Sequence, residues 1–139
     1  RSRQELGDVI DFWLDRGVDG FRLDAVTSYY TDNPEEGIEF TRWLTNTAKN
    51  KKPSAYIVGE AWADQNTYAQ YYRSGIDSLF DFAFAGRDGT ISRTVNGAEG
   101  LRYFAESMAR EEELYASLNP YYVNAPFYSN HDMDRGAEY

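Results

Sequence analysis

Six polar side chains sit where acid–base chemistry could be built: Arg22 and Asp24, then Glu60, then the run Asn130-His131-Asp132. Alternation along an extended segment sends Phe21 and Leu23 to one face and Arg22 and Asp24 to the other, so a cation and a carboxylate share a face. Taken alone, that pair reads equally well as an ordinary structural ion pair. Three converging carboxylates carry more meaning. Cleaving a glycosidic bond takes one carboxylate as nucleophile or base and one carboxylic acid to protonate the leaving oxygen. Crowding of like charge lets one carboxyl hold its proton near neutral pH, while an arginine keeps another ionised and oriented. On that logic Asp24, beside Arg22, is the nucleophile and Glu60 the acid, and Asp132 with His131 holds sugar hydroxyls and favours the charged transition state. A metal site made of three acids and a histidine is the rival reading. Arg22 in the same cluster opposes a cation, and no residue is assigned to a metal.

The elements that must position these groups follow from local pattern. Leu6, Val9, Ile10 and Trp13 recur at helical spacing over residues 2–16, and Gly17 is the expected stop. A strand ends at Asp24. Asn33 caps a helix with Pro34 at its first position and Glu36 completing a capping box, and the helix runs out in Lys49-Asn50-Lys51-Lys52-Pro53. Strands are expected over 55–59, 76–85 and 123–129, and helices from the Asp64 cap to about Tyr72 and over 101–118, with a polar loop over 86–100. Leu101, Phe104, Ala105, Met108, Tyr115 and Leu118 mark the apolar side of that last helix.

Strand and helix alternate throughout, which predicts an α/β fold with a parallel sheet. Asp24 and Glu60 are 36 residues apart, and Glu60 and Asp132 are 72 apart, twice that distance. Whole βα units therefore separate the acids and bring all three to one end of the sheet. With right-handed crossovers the natural closure is a (β/α)8 TIM barrel, of which about four parallel strands are present. Residues 1–139 are thus expected to be part of one catalytic domain, incomplete at both ends and inactive alone.

Composition narrows the partners. The net charge of −9, with 23 acidic and 14 basic residues, argues against a nucleic-acid partner. The absence of cysteine removes disulfide frameworks and thiolate metal sites, and no apolar run reaches the length of a membrane span.

The segments Gly20-Phe21-Arg22-Leu23-Asp24-Ala25-Val26, Val58-Gly59-Glu60-Ala61-Trp62 and Phe127-Tyr128-Ser129-Asn130-His131-Asp132 resemble, in order and spacing, three conserved segments of the α-amylase family of glycoside hydrolases. The resemblance implies a retaining mechanism on α-linked glucans. Asp24 matches the family's nucleophile, Glu60 its general acid/base and Asp132 its transition-state-stabilising carboxylate. Arg22 matches the arginine that orients the nucleophile, and His131 the histidine that binds the sugar; Asn130 and Trp62 are further expected substrate contacts. Tyr29, Tyr30 and Tyr68 also lie just past strand ends, where they either stack on sugars or pack under loops.

The expected partner is an oligo- or polysaccharide, cut most readily at α-1,4 bonds, because Ala25 stands where relatives cutting α-1,6 bonds often have valine. An α-glucosidase or α-glucan transferase is the alternative within the family, and a non-catalytic binding or assembly module the alternative outside it. No cofactor is required for the chemistry. Many α-amylases carry Lys-His where this chain has Thr27-Ser28; those residues touch the sugar on the leaving-group side and the second offers its backbone carbonyl to a structural calcium, so this stretch supports neither that subsite pattern nor calcium, which is left open for a full-length protein. Because polymeric starch is too large to enter cells, an extracellular or cell-surface location is expected.

Overall fold

A computed structural model describes residues 2–139. Four strands lie in the order β1 (Gly20–Leu23), β2 (Tyr56–Gly59), β3 (Ser78–Asp81) and β4 (Ala125–Pro126), each parallel to its neighbour. α1 (Arg3–Leu14) precedes the first strand, and the crossovers hold α2 (Pro34–Lys51), α3 (Gln65–Ala69), α4 (Thr90–Val95) and α5 (Leu101–Leu118). Sequential strand order with a helical return after each strand is the arrangement of a TIM barrel wall.

Local chemistry explains the element ends. Ser2 and Glu5 close a reciprocal capping box on α1. Asn33 accepts the Glu36 amide at 3.3 Å to start α2, and Asp64 accepts the Thr67 amide at 3.1 Å to start α3. Beyond α3 the chain tightens into a 3-10 turn that Gly75 stops at φ 82°. β1 and β2 approach so closely that a methyl group on Gly20 would meet the Tyr56 carbonyl oxygen at 1.8 Å. Asp77 then ties the next strand in, accepting the Ile57 amide at 2.8 Å and Lys49 Nζ at 2.9 Å.

One face of the sheet packs on the helices through Ile38, Ala48, Ile57, Ile76 and Leu79, with Tyr68, Tyr71, Tyr72 and Tyr115 fully buried among them. A buried tyrosine needs a partner for its hydroxyl, and Tyr72 supplies one by accepting the Leu79 amide at 3.1 Å. On the opposite face Tyr56 donates to Ser78, which donates to the Val123 carbonyl, a hydroxyl chain that crosses three neighbouring segments.

Four expectations are corrected. The third strand spans Ser78–Asp81 and not 76–85, because the Asp81 side chain accepts the Ala83 amide and its carbonyl the Phe84 amide, turning the chain away. The fourth is only Ala125–Pro126, where proline has no N–H to extend a ladder. The polar loop over 86–100 contains α4, built on hydroxyl-to-backbone bonds such as Ser92 to the Gly86 carbonyl at 2.6 Å, which leave no apolar periodicity to read. The expected stripe of α5 holds only in part: Tyr115 is buried and Leu118 packs on the core, but Ser107 and Glu111 also face inward, while Leu101 and Met108 are exposed.

Candidate active site

The register pairs Leu23 with Gly59, so Asp24 and Glu60 leave β1 and β2 side by side at the carboxyl end of the sheet. The Glu60 amide donates to the Leu23 carbonyl at 2.8 Å, which extends the ladder one step. Directly after Asp24 the backbone swings into the left-handed region at Ala25, φ 43° and ψ 52°, a conformation uncommon for a residue with a Cβ. That swing lets the Val26 amide reach back to the Glu60 carbonyl at 2.8 Å.

Arg22 joins the two acids. Its Nη1 donates to Asp24 Oδ1 at 2.7 Å, and its Nη2 donates to Glu60 Oε2. The expected Arg22–Asp24 pair is therefore present, but the guanidinium is shared, because the parallel register sets Glu60 within its reach. The acids differ in surroundings: the Asp24 side chain is 76% exposed and that of Glu60 9%. An open carboxylate suits attack on an incoming atom, while at Glu60 burial favours the protonated form and the Arg22 contact the charged one, the balance of a group that both gives and takes a proton.

Beside them lies a cavity of about 310 Å³ lined by Arg22, Glu60, Phe80, Phe127, Ser129, Asn130 and His131. The Arg22 guanidinium sits 6.0 Å from the Phe80 ring centre. Asp24 and Asp132 are not part of the lining. Asp132 joins through its neighbours, its amide donating to Asn130 Oδ1 at 2.9 Å and its carboxylate lying 3.0 Å from His131 Nε2. Trp62 stands just outside, half exposed and stacked on Phe82 with ring centres 4.8 Å apart; Phe82 in turn meets Phe127 edge-on at 5.0 Å. The wall of the cavity thus continues as an aromatic ledge to Trp62.

The tyrosines separate. Tyr68 is buried with its hydroxyl on Asp81 at 2.6 Å, so it packs under the sheet and offers no platform. Tyr29 is half-buried, and burial together with the charge of Asp24 pushes its hydroxyl up to about 12. Tyr30 is exposed and packs edge-on to Phe40. Phe80, Phe127 and Ser129 are lining residues that sequence reasoning did not single out, although strand alternation, which puts Phe80 and Phe82 on one face, carried the signal. Among the described residues no group of three or more His, Cys, Asp or Glu is arranged to hold a metal ion, and no helix is long and apolar enough to cross a membrane.

Comparison with known proteins gives a consistent result. The family model described as alpha amylase, catalytic domain, matches residues 1–139. Alpha-amylase 3 of Dictyoglomus thermophilum is 34% identical over 135 residues, which is 97% of this chain and 26% of that protein. An alpha-glucosidase of Schizosaccharomyces pombe is 57% identical over 166 aligned positions, covering 97% of this chain and 28% of that protein. Among solved structures, Eubacterium rectale Amy13B superposes with a TM-score of 0.94 at 46% identity, over 98% of this chain and 27% of that one. The chain spans about a quarter of the length of these relatives.

Proposed function

The chain belongs to the alpha-amylase catalytic-domain family, and from that premise we propose that it carries the reacting carboxylates of a retaining glycoside hydrolase acting on α-linked glucans. The observation that carries the proposal is the Arg22 bridge between an open Asp24 and a buried Glu60 at adjacent strand ends. We infer further that residues 1–139 are one part of a larger catalytic barrel.

In this mechanism Asp24 attacks the anomeric carbon while Glu60 gives its proton to the leaving oxygen, forming a covalent glycosyl–enzyme. Glu60 then takes a proton from water, and the hydroxide formed in that step releases the sugar from Asp24. Arg22 fixes the Asp24 rotamer through Nη1, so that the nucleophile does not have to be ordered when substrate arrives. His131 and Asn130 reach hydroxyls of the sugar held in the cavity, and Asp132, drawn in through His131, faces the positive charge that develops on the ring. The exposed face of Trp62 carries a sugar on the leaving side. No step needs a metal or an organic cofactor.

The finer reading is an endo-acting enzyme cutting α-1,4 bonds, exported to meet a polymeric substrate. Ala25 supports the linkage choice, since relatives cutting α-1,6 bonds often have valine directly after the aspartate. The similarity to an alpha-glucosidase keeps exo action and glycosyl transfer as the second reading. The test is an assay of the full-length protein and its Asp24→Asn variant on soluble starch. Release of reducing ends by the parent and its loss in the variant is the expected result; equal turnover overturns the assignment. Product sizes over time separate endo from exo action, and added maltose as acceptor reveals transfer.

A further inference from the structure

Behind the site, on the helix side of β3, lies a second carboxylate pair that the mechanism above does not use. Asp81 is 0% exposed and Glu111, on α5, is 5% exposed. Asp81 accepts from Tyr68 at 2.6 Å, Tyr115 at 3.2 Å, Asn124 at 2.8 Å and the Ala83 amide at 3.3 Å. Every one of these donors is neutral, which is the pattern of an ionised carboxylate solvated by dipoles. Glu111 Oε1 accepts from Gln65 at 2.8 Å, while Oε2 is buried without a hydrogen-bond partner.

Two ionised carboxylates in one dry network repel, and an orphan buried oxygen costs more still if it is charged. Both costs are relieved if one group keeps its proton, and Glu111 is the one with an oxygen free to carry it. Burial, followed by the nearby charge of Asp81, pushes the Glu111 carboxyl up to about 8. Facing it are Asp81 from β3, Gln65 from α3, Thr90 from α4, Tyr122 from the segment before β4, and Tyr103, Arg110 and Tyr115 from α5 itself. Arg110 donates to Ser107, and no ion pair of Arg110 with Glu111 is formed among the described residues.

This pair sits where it can act on the site. Asp81 is the last residue of β3, between Phe80, which lines the cavity, and Phe82, on which Trp62 stacks. Its Oδ2 holds Asn124, the residue before β4, and its backbone is in register with Pro126. We propose that Asp81 and protonated Glu111 are positioning residues: the proton on Glu111 spares the end of β3 a second buried negative charge, so that it packs against α5 and sets the Phe80–Phe82–Trp62 aromatic wall, which loosens when that proton is lost. The geometry does not depend on the glycosidase reading, but its effect on substrate does.

Trp62 fluorescence in the full-length protein without substrate tests the proposal. The Trp62 signal is isolated as the difference between the parent and a Trp62→Phe variant measured at each pH. Raising the pH from 7 to 9 is expected to change the Trp62 emission with a midpoint near 8, and Glu111→Gln, which mimics the neutral acid, is expected to abolish that change. Asp81→Asn removes the charge beside Glu111 and is expected to move the midpoint down. A flat titration in the parent overturns the proposal without any variant, as does a Glu111→Gln titration matching the parent's. On starch, KM is expected to rise roughly threefold across the same range in the parent and to stay level in Glu111→Gln. An intact fluorescence transition with no activity on starch would count against the glycosidase reading and leave the brace standing.

Discussion

The Val26 amide donates to the Glu60 carbonyl at 2.8 Å, so the turn that follows Asp24 is fastened to the backbone of Glu60. The fastening depends on Ala25 holding φ 43°. Ala25→Gly removes the steric cost of that conformation and is expected to raise stability by about 1 kcal/mol. Ala25→Val adds a β-branch at a left-handed position and is expected to lower it by about 1–2 kcal/mol, with a fall in kcat as the two acids lose register. Urea unfolding and starch assays on both variants check this; a fully active and equally stable Ala25→Val would refute it.

Replacing Arg22 tests the shared guanidinium. Lysine keeps the charge but cannot present two separate N–H groups to two carboxylates, so Arg22→Lys is expected to lower kcat by roughly a hundredfold with little change in folding. Circular dichroism and steady-state kinetics measure the two effects. Retention of full kcat would show that one contact suffices.

Acid and alkaline limbs of stability follow from Glu111. Its folded carboxyl titrates near 8 and its unfolded one near 4.5, so below about 4.5 both states carry the proton. Between the two values the folded state binds more protons than the unfolded one, and stability falls as pH rises through that window. Above about 8 this contribution is gone. Denaturant unfolding at pH 5, 7 and 9 is expected to show a decline that Glu111→Gln flattens; identical slopes in the two proteins would remove Glu111 as the cause.

Trp62 is half exposed and touches the fold mainly through Phe82. Trp62→Ala is expected to cost less than about 1 kcal/mol in stability while raising KM for long oligosaccharides about tenfold, since an open aromatic face contributes to binding more than to packing. Equal KM values for parent and variant across chain lengths would take Trp62 out of the binding surface.

The adjacent placement of Asp24 and Glu60 was readable because a parallel βα wall returns to the same rim after each unit, whereas Asp132 lies past the end of β4 and outside the cavity lining, in contact with Asn130 and His131. The caps at Asn33 and Asp64 were readable because their partners lie three residues away. The shared Arg22 was not, since the Glu60 contact spans 38 residues of sequence and depends on register. Glu111 was hidden for a different reason. It opens the run Glu111-Glu112-Glu113, which reads as a solvated helix face, and only the distant Asp81, Tyr68 and Gln65 reveal that its first member points inward.

Arg22, Asp24 and Glu60 form a group whose charges can be counted through the proposed reaction. With Glu60 protonated, one cation and one anion cancel. When the sugar bonds to Asp24 and the proton departs with the leaving oxygen, Asp24 becomes an uncharged ester and Glu60 becomes the anion, so the sum is again zero. The negative charge crosses from one strand end to the next while both of its resting places stay in contact with the same guanidinium. Little reorganisation of surrounding dipoles is needed for that transfer, because the counter-ion is already at its destination.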